Sequence, residues 1–142
     1  MPTLEERIRA IEDRDAIREL TARYCQLAVA GDAERVTALF ARDGIMESGP
    51  TREQGHARLL ALYKSSFGSL RPIPFIHNHV VELQGDRATG FCSIELRMVE
   101  NGEAVTAAGY YDDAFVREDG VWKFAHRKLF FYHRVPLSKG WA

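Results

Sequence analysis

The chain has 142 residues, 46% hydrophobic and 27% charged, with a formal net charge of −1; that balance fits one globular domain with enough apolar material for a core. Near-neutrality, with no run of five or more like charges, argues against a nucleic-acid binder that works by bulk electrostatics, since phosphate binding needs clustered Lys and Arg. The N-terminus MPTLEERIRAIEDRD has no apolar signal region, and no stretch of about 18 apolar residues occurs that could span a membrane, so the cytoplasm is the simplest location.

Thr3-Leu4-Glu5-Glu6 is a capping box and predicts a helix start. Leu4, Ile8 and Ile11 follow at helical spacing, and the stripe resumes at Ile17, Leu20, Tyr24 and Leu27. The gap after Ile11 predicts a bend or a change of packing face near Asp13 to Asp15. Gly31 ends this helix and Asp32 caps the next, AERVTALFA, with Val36, Leu39 and Phe40 inward. ARDG stops that helix, and IMES reads as a short strand. Thr51 and Gln54 could form another capping box before HARLLALYKSSF, which is helical by its Leu59, Leu60, Tyr63 and Phe67 pattern. RPIP ends it, because proline cannot continue a helix.

The second half reads as four strands, 75–83, 87–99, 104–117 and 121–132, broken by the turn signals QGD, ENGE and EDG. Three helices followed by an antiparallel meander define an α+β domain over 1–142. Its helical part is about 3–70, its meander about 75–132, and 133–142 is a tail. In the second strand Cys92, Ile94, Leu96 and Met98 share the core or pocket face. Cys25 and Cys92 sit in apolar runs and do not make a disulfide framework.

The segments LTARYCQLAVAGD, VELQGDRATG and FVREDGVWKFAHR resemble the SnoaL-like family of the nuclear transport factor 2-like superfamily over about residues 8–132. The resemblance implies a cone in which three helices and a curved antiparallel sheet enclose an apolar pocket. Relatives of this kind include scytalone dehydratase, bile-acid dehydratase, polyketide cyclases and a dehydrochlorinase, beside proteins that only bind. The dehydratases use a pocket histidine, a helix tyrosine and an aspartate. Tyr24 matches the tyrosine by its place in LTARY, and His77 matches the histidine with one residue gapped. Val29 and Leu96 stand where family carboxylates would be expected, and Tyr111 falls where scytalone dehydratase has Asn.

His77 and His79 lie two apart in a strand and are expected on one face. Glu82, three after His79, has the wrong spacing and parity for a cupin-like metal site, so no metal is assigned. Histidine titrates near neutrality and suits proton transfer during dehydration or isomerisation next to a carbonyl. A buried tyrosine hydroxyl could steady the oxyanion. The expected function is a cofactor-free lyase or isomerase on a hydrophobic substrate, polycyclic ones included. His77 and Tyr24 are its catalytic residues, and His79 and Tyr111 are orienting or ligand-binding groups. Ile94, Leu96, Met98, Tyr63 and Phe67 would line the pocket. The alternatives are a non-catalytic small-molecule binder, which Val29 favours, or an accessory subunit of a larger enzyme. His79 could equally be structural, donating to a backbone carbonyl.

Other residues have plainer readings. Asp32 is a cap. Asp113 is either a replacement carboxylate or the partner of Arg127 in an edge salt bridge. His126 could enter the cavity, His56 faces solvent, and Trp141 could lid the pocket or reach a partner. A homodimer is expected across the outer sheet face through Val80, Phe91 or Val105. No nucleic-acid or membrane partner is implied.

Overall fold

A computed structural model describes residues 1–141. Helix α1 spans Leu4–Ala30. Thr3 accepts from the Glu6 amide and the Glu6 side chain accepts from the Thr3 amide, closing the capping box at its start. Gly31 ends it in the left-handed region, φ 72°, where glycine carries no Cβ penalty. The helix is continuous through Asp13–Asp15; what changes there is the packing face. Leu4, Ile8 and Ile11 stay exposed, and burial begins at Ile17 and continues through Leu20, Thr21, Tyr24 and Ala28. Asp13 anchors the junction. Its carboxylate accepts from Arg117 at 2.8 Å and 2.9 Å and from the Trp122 indole at 3.0 Å. Burial opposes ionisation of this carboxyl, but the Trp122 and Arg117 bonds outweigh it and hold the pKa below the ordinary value.

Helix α2, Ala33–Ala38, is capped by the Asp32 side chain on the Arg35 amide at 3.0 Å. It is shorter than its sequence pattern suggested. Phe40 already belongs to strand β1, Phe40–Ser48, which takes in ARDG as an irregularity instead of a stop. Thr51 is no helix cap: β2, Thr51–Gln54, hairpins back on β1, and α3, His56–Leu70, starts after Gly55 without a side-chain cap. His56 is exposed, as read, and its Nε2 bonds the Phe40 carbonyl at 2.9 Å.

The meander is β3 Ile73–Gln84, β4 Arg87–Glu100, β5 Glu103–Glu118 and β6 Val121–Pro136, the last strand running beyond the expected boundary into what was read as tail. Its hairpins carry the expected chemistry. Asn101-Gly102 and Asp119-Gly120 have positive φ at both central residues, and Gly85 has it at the first of two. The sheet has six strands in the order β2-β1-β6-β5-β4-β3, antiparallel throughout except for the parallel β1–β6 pair. It is curved and unclosed, with the helices on its inner face. Alternate residues of β4, from Ala88 through Cys92, Ile94, Leu96 and Met98, are buried against them.

Candidate functional site

Two bulges decide which polar side chains enter the cone. In β3 the pairing jumps from His77–Ser93 to Val80–Phe91, with Asn78 at φ 52°. The extra residue reverses the alternation. His77 therefore stands on the outer face, bonded through Nε2 to Glu95 at 2.8 Å, with its side chain half exposed. This corrects the expectation that His77 and His79 share a face, and it removes His77 from the interior. In β6 the register shifts between Phe124 and His126. Trp122 and Phe124 point inward, and the shift then brings Arg127 inward and turns His126 away to Glu47, 3.1 Å distant. His126 thus leaves the set of cavity candidates.

His79 faces the interior. Its Nε2 lies 3.2 Å from where a Cβ would stand on Gly90, so the absence of a side chain there makes its space. That nitrogen is buried and, among the described residues, has no hydrogen-bond partner. Burial, then the charges of Arg127 and Arg18, lowers the imidazole pKa to about 4, so the ring is neutral near pH 7. Gly90 pairs with Asp113, and Asp113 with Arg127, so His79, set over Gly90, stands at one end of a row that leads to the buried ion pair.

Arg127 and Asp113 form an ion pair at 3.2 Å with both side chains fully buried, not at an edge or interface. Angles are poor enough that no hydrogen bond is satisfied at either group among the described residues. The guanidinium is instead boxed by aromatic faces, 3.4 Å from the Tyr111 centroid, 4.2 Å from Tyr24 and 4.4 Å from Phe124. Burial raises the Asp113 pKa to about 7 against the pull of Arg127. Since the guanidinium does not shed its proton, we read the pair as ionised above that value. Arg127 was foreseen only as a partner for Asp113; its inward turn depends on a bulge that no turn residue announces.

On the far side of these rings lies a cavity of about 500 Å³. Tyr24, Tyr63, Tyr111, Phe67, Leu96 and Met98 line it, whereas Ile94 is core packing outside the lining. His79 does not line it either. The Tyr24 and Tyr63 hydroxyls meet at 2.9 Å, and burial raises the pKa of both phenols, so they remain protonated. Tyr111 is raised for the same reason, and burial pushes the Cys92 thiol up to about 12, which leaves it inert as a nucleophile. The lining also takes in the β1–β2 turn, the end of α3 and residues toward the ends of β4 and β6. Trp141 does not lid it; that ring is exposed and stacks on His133 at 5.8 Å. Among the described residues no three His, Cys, Asp or Glu side chains are placed to hold a metal, and no helix is long and apolar enough to cross a membrane.

Fold and cavity define a helix-on-sheet cone of the nuclear transport factor 2-like class. The chain belongs to the SnoaL-like domain family, whose model matches residues 9–128. It is similar to a nuclear transport factor 2-like protein with a cystatin-like fold from Novosphingobium aromaticivorans (28% identity, 93% of this chain and 92% of that one, TM-score 0.75). It also shares its fold with a hexachlorocyclohexane dehydrochlorinase (21% identity, 90% of each chain, TM-score 0.83). A third neighbour is an N. aromaticivorans protein provisionally described as a scytalone dehydratase (19%, 89% of each chain, TM-score 0.83). No curated protein matches the sequence.

Proposed function

We propose that this chain is a small-molecule pocket protein that takes a mainly apolar ligand into the chamber between α3 and the sheet. The observation that carries the reading is the chamber's makeup: apolar walls at Leu96, Met98, Phe67 and Leu129 ending on the hydrogen-bonded Tyr24–Tyr63 hydroxyls. A few convergent polar groups in an apolar cavity are what orient small ligands. Titration with 1-aminoanthracene, followed by fluorescence, tests it. Saturable binding is expected, and Leu96→Trp, which fills the chamber, should abolish it while leaving the circular dichroism of the fold intact. Binding unchanged by Leu96→Trp would overturn the reading.

A second reading, a cofactor-free lyase or isomerase, is favoured by the unpartnered neutral imidazole of His79 behind the tyrosine floor and by the dehydratase-type fold neighbours. Such an elimination requires a substrate that reaches past the tyrosine floor to His79, which lies outside the chamber lining; there the imidazole accepts a proton from carbon, the C–H electron pair forms the double bond, and the departing hydroxide takes a proton from a tyrosine hydroxyl or the imidazolium. General acid–base catalysis of this kind contributes about 10²–10⁴-fold. Screening β-hydroxy ketones would test it. His79→Ala should remove any turnover found, and His77→Ala should leave it intact; the opposite result would sink the assignment.

We also propose a homodimer across the outer face. Phe91, Tyr110 and Phe130 stack there at 4.9 Å spacings, with Phe91 and Phe130 more than two-fifths exposed, and Val80 joins them. Val105 does not, because its side chain is buried on the inner face. Light scattering should give twice the chain mass, and Phe130→Glu should give the monomer. A monomeric wild type would exclude the homodimer and revive an accessory-subunit role.

A further inference from the structure

The chamber's lining contains one charged side chain among the described residues, Arg134. Its position follows from the sheet. Arg134 pairs with Ala107, whose side chain is buried on the inner face, so the guanidinium is directed inward at the open end of β6. Its side chain is 36% exposed, so the charge reaches water while also bordering the chamber, and a ligand anion can meet it without the cost of a fully buried cation. The partner present is Glu100, at a single N–O approach of 3.3 Å, with that carboxylate 44% exposed. A guanidinium has five N–H donors, so a pair of this kind leaves most of its capacity free. The lining adds hydroxyls from Ser48, Thr51, Ser65, Ser66 and Ser69.

Resting on the pocket reading above, we propose that Arg134 selects ligands with an apolar body and an anionic end, of the class of hydrophobic carboxylic acids. The body lies against Leu96, Met98 and Phe131, toward the tyrosine floor. The carboxylate sits on Arg134 in the two-pronged geometry that guanidinium favours. Glu100 turns to water when the ligand enters, which its exposure permits. Neutral compounds of the same shape enter the same chamber without that contact.

The test uses a matched fluorescent pair, 1-pyrenebutyrate and 1-pyrenebutanol, titrated into the full chain. The quantity read is the ratio of their dissociation constants, which cancels the shared pyrene contribution. Arg134→Gln should lower the preference for the acid by about tenfold, the scale of one charge-assisted hydrogen-bonded contact, with pyrenebutanol binding unchanged. Arg134→Lys should retain part of the preference, and Glu100→Gln should raise it. A change of less than about threefold in Arg134→Gln overturns the selectivity proposal while the pocket reading stands. Failure of both probes to bind the wild type, or binding that Leu96→Trp leaves intact, overturns both.

Discussion

The two faces of the sheet carry nearly the same residue types and behave as different materials. Each has aromatic rings in contact, a histidine from β3 and an acid–base pair. On the outer face His77 and Glu95 meet in water, and Phe91, Tyr110 and Phe130 stack with their edges exposed. On the inner face Arg127 and Asp113 are sealed from solvent, and the aromatic rings box a cation. The lesson is that side-chain identity sets what a group can do, and burial sets its magnitude. A pair that is nearly neutral to stability outside becomes one whose disruption is severe inside.

The sharpest way to break that comparison is to remove one partner from each pair. Arg127→Met leaves Asp113 buried without a counter-charge and should cost about 3–5 kcal/mol in urea unfolding. Adding Asp113→Leu should recover much of that loss, because the unpartnered buried carboxyl goes with it. Less is expected at the tyrosine floor. Tyr63→Phe leaves the Tyr24 hydroxyl without its 2.9 Å partner and should cost about 1–2 kcal/mol by the same measurement.

The His79 ring separates the faces by pH. Its pKa is about 4 in the fold against 6.5 for the free group. Between those values the unfolded chain binds more protons, so this group's contribution makes stability rise with pH and is complete above 6.5. Asp113, at about 7 in the fold against 3.8, acts with the opposite sign, and its contribution falls as pH rises between those values. The difference between wild type and His79→Gln isolates the histidine. The variant should lose less stability than wild type on acidification from neutrality toward pH 4, as read by urea midpoints. The smallest effect belongs outside: His77→Ala should change stability by less than about 1 kcal/mol and leave 1-aminoanthracene binding untouched.

Much of the architecture was legible because its signals are local. The Thr3–Glu6 box, the Gly31-Asp32 junction and the hairpin glycines are short-range patterns, and each marks a boundary in the structure. The inward face of β4 followed from simple alternation. Thr51 misled because a cap signal and a strand start look alike; IMES was legible as a strand, but nothing in the sequence marks TREQ as its hairpin partner. The β3 site failed for a different reason. Alternation carries through a strand only while the ladder is regular, and HNHV contains no glycine or proline to announce a bulge. Tyr24, Tyr63, Phe67, Leu96, Met98 and Tyr111 line the chamber because they lie on segments without such interruptions. Arg134 was lost to the assumption that β6 stopped at Tyr132.

Gly109 shows how narrow the tolerance is at the last strand. A Cβ there would fall 1.8 Å from the Phe130 carbonyl oxygen, a backbone atom that cannot swing aside. This residue lies at the second β5–β6 irregularity, between Ala108 and Gly109, and the strand beyond it carries Arg134. An alanine at position 109 would push apart the two ribbons beside Phe131, which lines the chamber. The close approach of two ribbons beside the chamber therefore depends on one missing methyl group, on a residue outside the lining that carries no charge.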